Sequence, residues 1–203
     1  MRKEALKEEL EKLKEVEGSV RGEKLRTHAE YIERKEGEEG LEKVEETLKE
    51  MGYPLKLKEV KALEWYPVYL HPMVLLCAYH LFDWKEEDVY NMGAAAARLS
   101  FIGKVMIKYF FSVEKFMSET APEYWRKYYE VGEFNAFKIG EKDEYLIRIE
   151  NYSLHPLVCV YNKGYFLTVI SYFTKEKKVS IKEVKCTHKQ DSYHEYLVSF
   201  YKE

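Results

Sequence analysis

Cysteines are scarce in this sequence. Only three occur in 203 residues, at positions 77, 159 and 186, and no apolar run stands at the N-terminal end. An odd, widely spread set of cysteines without a secretion signal argues against a secreted, disulfide-stabilised scaffold. We therefore expect a protein of the reducing cytoplasm.

Long apolar runs and an excess of one charge are also missing. The most apolar stretch, "VYLHPMVLLCAYHLF" (68–82), is interrupted by Pro72 and two histidines, so no transmembrane helix is predicted. Lys and Arg number 33 against 36 Asp and Glu, and neither half of the chain is strongly basic. Because nucleic-acid readers concentrate basic residues on one face, no nucleic-acid partner is expected.

The common catalytic motifs are absent as well. The sequence contains no Walker loop, no GxGxxG, no HExxH and no paired-carboxylate signature. Cys77 and His80 share one face of a predicted helix, but their Leu and Met neighbours indicate burial rather than an activated thiol. An enzyme is therefore not the expected function.

Aromatic residues are abundant. The chain has 18 Tyr, 10 Phe and 3 Trp within a hydrophobic content of 46%, enough for one substantial core. Lys and Glu dominate the charged residues, while Asn and Gln are few. This balance is typical of proteins from hot environments, so a thermophilic source is expected.

The hydrophobic periodicity changes along the chain. Helical spacing predicts a charged N-terminal helical arm over 1–60, broken near 18–22 and 36–40, followed by a domain over 61–203. More apolar helices are predicted over 73–83, 86–111, 113–129 and 155–173. A period of two predicts β-hairpins around Gly140 and over 178–202. The order indicates an α+β fold, in which a helical layer packs on a small antiparallel sheet made of two β-hairpins.

The last hairpin carries a cysteine and two histidines in "KCTHKQDSYHEY" (185–196). Cys186 and His194 are equidistant from Gln190, so they are predicted to lie opposite each other on one sheet face. Cys159, on the preceding helix, can reach the same point. Sulfur and imidazole together suit Zn²⁺. Small buried cysteines beside a hydrogen-bonded strand histidine explain the same pattern without a metal, and spacing alone leaves both open.

The same residues resemble the signature of the 4-vinyl-reductase-type small-molecule-binding domains, a family in the superfamily of ligand-binding domains in NO signalling and Golgi transport. The resemblance covers Cys186, the segment 188–196, and Cys159 with Gly164. It implies a zinc ion held by Cys159, Glu183, Cys186 and His194, with His194 in place of the family's last cysteine. Glu183 and Cys186 fall on opposite faces of a flat strand, so a shared metal requires a bulge or twist. His188 is the substitute ligand otherwise.

The resemblance also implies a function. Domains of the vinyl-reductase type have an apolar cavity between the helices and the sheet, so we expect a sensor or regulatory domain that holds a hydrophobic or aromatic molecule and forms a homodimer. The small residues of "GAAAARLSF" (93–101) allow either close helix packing or room for a guest, and close packing is the commoner reason. Candidate ligand contacts, each equally explained as core, are Trp65, His80, Trp84, Phe101 and Trp125.

Two other functions fit the resemblance. In the first, the chain is a protein-protein interaction or assembly subunit whose charged N-terminal helices recruit a partner. Removing residues 1–50 should then abolish association without unfolding the core. The second is an enzyme acting on tetrapyrroles, a remote alternative suggested only by the family's name.

Overall fold

The computed structural model describes residues 2–100, 112–140, 143–173 and 178–201. The predicted α+β class is confirmed: helices pack on a four-stranded antiparallel sheet, and two short strands form a second sheet. Within these ranges, no helix combines the length and apolar character that a membrane span requires.

The N-terminal region contains α1 (Arg2–Leu13), β1 (Ser19–Arg21) and α2 (Gly22–Glu50). Gly37 interrupts α2 with φ 80° and ψ 175°, at the predicted break, where glycine accepts a backbone that other residues avoid. The leucines of α1 are buried in the same apolar core as the later helices.

This packing corrects one expectation. Strand β1 pairs with β2 (Trp65–Pro67), a strand that the sequence analysis had not predicted, with Ser19 opposite Pro67. Removing residues 1–50 would therefore expose core surface, so the expectation that truncation leaves the core folded is wrong. The domain boundary at residue 60 itself stays a prediction.

The central helices are α3 (Leu70–Leu81), α4 (Glu86–Leu99) and α5 (Ala121–Tyr128). A helical turn at Val113–Lys115 and a π-helix at Phe116–Thr120 lead into α5, which confirms a helical segment over the predicted 113–129. The predicted helix 86–111 is confirmed over Glu86–Leu99. The helix ends there, because Ser100 has an extended backbone, and residues 101–111 lie outside the described residues.

The main sheet contains β3 (Glu133–Lys138), β4 (Glu144–Glu150), β5 (Lys178–Lys185) and β6 (His194–Tyr201) in the order β3-β4-β6-β5. The two predicted hairpins are joined because β4 pairs with β6. Helix α6 (Pro156–Ser171) lies on this sheet, where Phe166 contacts the rings of Phe134 and Tyr196.

Helices α4 and α6 approach closely through two glycines. A Cβ atom on Gly93 would lie 2.0 Å from the carbonyl oxygen of Tyr161, and one on Gly164 would lie 2.0 Å from that of Tyr90. Only glycine allows backbones to approach so closely. The small residues that begin at Gly93 therefore serve helix packing at this contact, rather than providing room for a guest.

Candidate metal and ligand sites

Four potential metal ligands converge where α6 meets the last hairpin. Cys159 comes from the first half of α6, Glu183 from β5, Cys186 from the residue after β5, and His194 from the start of β6. One ligand atom from each lies within 4.8 Å of the other three, and only Glu183 is more than marginally exposed. The structure thus brings together the four residues that the resemblance implied.

A β-bulge resolves the odd spacing between Glu183 and Cys186. The pairing of β5 with β6 moves from Glu183 opposite Tyr196 to Lys185 opposite Glu195, so Val184 is an extra residue. An inserted residue reverses the alternation of side chains beyond it, and edge strands such as β5 commonly carry bulges. Glu183 and Cys186 consequently turn toward the same point.

Two separations within the cluster match tetrahedral zinc. The Sγ atom of Cys159 lies 3.8 Å from Sγ of Cys186 and 3.6 Å from Nδ1 of His194. With Zn–S bonds of about 2.3 Å and Zn–N bonds of about 2.0–2.1 Å, tetrahedral angles give S–S and S–N separations of about 3.8 and 3.6 Å. A disulfide bond does not join the cysteines, which are free.

Hydrogen bonds to residues outside the cluster position His194 and Cys186. The Nε2 atom of His194 lies 2.9 Å from Oγ1 of Thr187, which in turn lies 3.0 Å from Oγ of Ser153. If Nε2 donates to Thr187, Nδ1 keeps its lone pair on the side of Cys159, as a metal ligand requires. The backbone N–H of Cys186 donates to Asp191 Oδ2 at 2.8 Å and fixes the start of the loop.

Glu183 has one carboxylate oxygen satisfied and one not. Oε2 accepts a hydrogen bond from Nζ of Lys189 at 3.0 Å. Oε1 is buried and has no hydrogen-bond partner among the described residues. A buried carboxylate oxygen without a partner is unfavourable, and a cation in the cluster would satisfy it.

Burial favours the neutral forms of Cys159 and His194 without a metal. Burial raises the pKa of the Cys159 thiol, and the neighbouring Cys186 and Glu183 raise it further. Burial and the nearby His188 lower the pKa of His194, which favours the neutral imidazole that a metal needs. Zinc binding would therefore release a proton from Cys159, since thiolate is the ligand.

His188, the substitute proposed for Glu183, is not part of the cluster. Its exposed ring lies 5.6 Å from that of His194, measured between centroids. The structure therefore favours Glu183 over His188 as the fourth ligand.

A second feature is an aromatic cleft between α5, α6 and the sheet. Its interior void is about 70 Å³, and its empty space including the part open to solvent is about 670 Å³. Aromatic and apolar side chains dominate the lining, which consists of Lys24, Phe116, Met117, Ala121, Tyr124, Trp125, Tyr128, Tyr129, Phe134, Ile147, Asn162, Tyr165, Phe166, Val169 and Ile170.

Only one of the four candidate ligand contacts that the structure describes lines this cleft. Trp125 does, while Trp65, His80 and Trp84 lie elsewhere, and Phe101 falls outside the described residues. The three displaced residues have other partners. The Trp65 ring lies 3.8 Å from the Arg21 guanidinium, His80 lies 3.4 Å from a Glu9 oxygen, and Trp84 donates to Glu36 at 2.8 Å.

Most of the lining residues were not predicted from the sequence. Tyr124 and Tyr128, one turn apart, stack with ring centroids 4.3 Å apart, and this spacing was a usable signal. Lys24 was not recognisable, because α2 is rich in lysine and nothing local distinguishes the one lysine that is buried.

Cys77 is fully buried in α3, and burial raises the pKa of its thiol to about 12. A thiol protonated at neutral pH is a poor nucleophile. The geometry gives a Cys77–His80 catalytic pair no support.

No family model and no curated protein matches the chain, but solved structures do. An H-NOX protein from S. oneidensis superimposes with a TM-score of 0.65 at 13% identity, covering 91% of this chain and 97% of that one. An H-NOX variant from T. tengcongensis superimposes with a TM-score of 0.64 at 16% sequence identity. The match covers 89% of this chain and 97% of that one. An H-NOX variant from K. algicida superimposes with a TM-score of 0.62 at 11% sequence identity. The match covers 91% of this chain and 98% of that one.

Identities this low show the fold, which is H-NOX-like. Membership of the vinyl-reductase-type family itself stays a prediction.

Proposed function

We propose that this chain is a non-catalytic small-molecule-binding domain, of sensor or regulatory type, that holds an aromatic or apolar ligand between its helices and its sheet. The observation that carries the proposal is the partly empty aromatic cleft, lined from α5, α6 and the sheet. Ligand sites are typically concave and mostly apolar, with a few polar groups that orient the ligand. The H-NOX-like fold supports the same class of function.

Haem, which H-NOX relatives bind, does not fit this cleft. An interior void of about 70 Å³ is far below the roughly 300–1,000 Å³ of sites for drug-sized ligands, and haem is larger than most of these. None of the six histidines lines the cleft. Tyrosines do line it, but burial raises the pKa of Tyr129 and Tyr165 and opposes the phenolate form that iron prefers. The proposed ligand is therefore a smaller, metal-free molecule.

The proposal includes a structural zinc ion held by Cys159, Glu183, Cys186 and His194. Bound there, it would cross-link the last hairpin to α6, the helix whose other residues line the cleft. Four protein ligands complete a tetrahedral zinc shell and leave no open position for a substrate. The zinc would thus stabilise the binding site without making it an active site. The homodimer and the cytoplasmic location stay predictions.

The test is thermal unfolding of the zinc-loaded chain with small aromatic and aliphatic compounds. Benzene derivatives and short-chain compounds that bind the folded state should raise Tm, as mass action requires. Absence of any shift at millimolar concentration across the panel would overturn the proposal.

A matched pair of variants locates the binding. Ala121→Phe should fill the cleft, which Ala121 lines, and abolish the shift. Ser118→Phe places the same side chain on an exposed position three residues earlier and should leave the shift intact. Equal loss in both variants would contradict binding in the cleft.

A further inference from the structure

One lysine lies in the aromatic cleft. Lys24, in the first turn of α2, is 9% exposed, and its Nζ lies 4.5, 4.9 and 5.6 Å from the ring centres of Tyr165, Tyr161 and Tyr129. Its one hydrogen bond, to the hydroxyl of Tyr161, is 3.5 Å long. No ion pair joins this amine to a carboxylate in the described part of the chain. Lysine is rarely buried without such a partner.

Two further donors beside Lys24 lack acceptors. The hydroxyl groups of Tyr124 and Tyr129 are buried. Each interacts with a neighbouring tyrosine, Tyr128 and Tyr152 respectively, but neither makes a hydrogen bond of ordinary geometry within the described ranges. Both residues line the cleft together with Lys24. Two hydroxyls without acceptors and an amine with one long hydrogen bond adjoin one apolar space, and together they are complementary to an anionic group that has several acceptor oxygens.

The surroundings of Lys24 do not neutralise it. His28 lies one turn further along α2, where its Nε2 is 2.6 Å from Nδ1 of His71, and burial lowers the pKa of both rings, so this pair is uncharged at neutral pH. Burial lowers the pKa of Lys24 itself to about 8, and nearby Glu23 opposes that change. The amine is therefore mostly a cation at pH 7. Keeping a buried cation costs stability, which is typical of functional positions.

We propose that Lys24, with the hydroxyls of Tyr124 and Tyr129, binds the carboxylate of a small aromatic or short-chain aliphatic acid whose apolar part occupies the cleft. The inference rests on the proposed function and names its ligand class. A carboxylate would supply acceptors for the two hydroxyls and a closer acceptor for the amine, whose one hydrogen bond is long. The void of about 70 Å³ is smaller than the roughly 150 Å³ cavity that holds benzene, so a single ring or a short chain would also extend into the adjoining space that is open to solvent.

The experiment compares acids with their neutral amides. Titration calorimetry on the zinc-loaded full chain would use benzoate, phenylacetate and hexanoate against benzamide, phenylacetamide and hexanamide. We expect the acids to bind at least tenfold more tightly than their amides. Equal affinity within each pair would overturn the carboxylate proposal while sparing the proposed function, whereas no binding by any of the six would overturn both.

Variants test whether Lys24 causes the preference for acids over amides. Lys24→Met keeps the length of the side chain and should weaken acid binding at least tenfold, and amide binding by a much smaller factor. Tyr129→Phe removes one donor and should weaken acid binding several-fold, which keeps the proposal testable if Lys24→Met does not fold. Lys49→Met, at an exposed position on the same helix, should bind like the wild type. Undiminished acid affinity in both Lys24→Met and Tyr129→Phe would overturn the assignment.

Discussion

Glu183 in β5 and Cys186, the residue that follows β5, present their ligand atoms to one point because the bulge at Val184 lies between them. On a regular strand an odd separation would direct these side chains to opposite faces. The bulge thus allows Glu183 to be the fourth ligand of the cluster.

Glu183→Gln is expected to weaken zinc binding by about 10–100-fold, since the amide keeps the shape of the side chain but lacks the charge of a carboxylate ligand. Competition with a chromophoric chelator would measure the change. His188→Ala serves as the control, because the exposed His188 lies outside the cluster and its loss should leave zinc affinity unchanged. The opposite result, with His188→Ala releasing the metal and Glu183→Gln retaining it, would reverse the assignment.

Gly93→Ala is expected to destabilise the fold by about 3 kcal/mol, because its Cβ would lie 2.0 Å from the Tyr161 carbonyl oxygen and force α4 and α6 apart. Helix propensity alone predicts the opposite, a gain of about 1 kcal/mol. Urea denaturation of Gly93→Ala distinguishes the expected loss of stability from the gain that helix propensity predicts. Gly140→Ala, where a Cβ meets no atom within 4 Å and φ is +54°, should cost only about 1–2 kcal/mol for its backbone conformation. A Gly93→Ala variant as stable as the wild type would exclude the close contact.

The stability of the ligand-free protein should rise above pH 8 because of Lys24. The pKa of Lys24 is about 8 in the folded state and 10.5 in the unfolded chain. Between these pH values the unfolded chain binds a proton at Lys24 that the folded state has released, so the free energy of unfolding increases with pH. Relative to Lys24→Met, the wild type should gain about 2 kcal/mol between about pH 7.5 and 9.5, at about 1.36 kcal/mol per unit. Comparison with the variant removes the contribution of the tyrosines around Lys24.

Urea unfolding at the two pH values gives the measurement. The charged or titratable groups that face the amine are Glu23, His28, His71, Tyr129, Tyr161 and Tyr165. If the free energy of unfolding changed with pH in the same way in wild type and Lys24→Met, the pKa of this amine would not be lowered in the folded state.

The sequence predicted the α+β class, both hairpins and the convergence of Cys159, Cys186 and His194, because alternating and helical periodicities and the symmetry about Gln190 are local signals. The small β1–β2 sheet was missed, since each strand is three residues long and pairs across more than forty residues. Most of the cleft was also missed. Its lining comes from separate elements, and burial of one lysine among many depends on tertiary packing that no local pattern encodes.

Zinc content tests the central account most directly. Metal analysis of wild-type protein purified without chelator should find about one zinc per chain, and Cys186→Ser should find almost none and melt several degrees lower, at about 2–4 °C per kcal/mol for a chain of this size. Cys77→Ser, at the buried cysteine outside the cluster, should keep its zinc. A metal-free wild type as stable as zinc-supplemented protein would contradict the account.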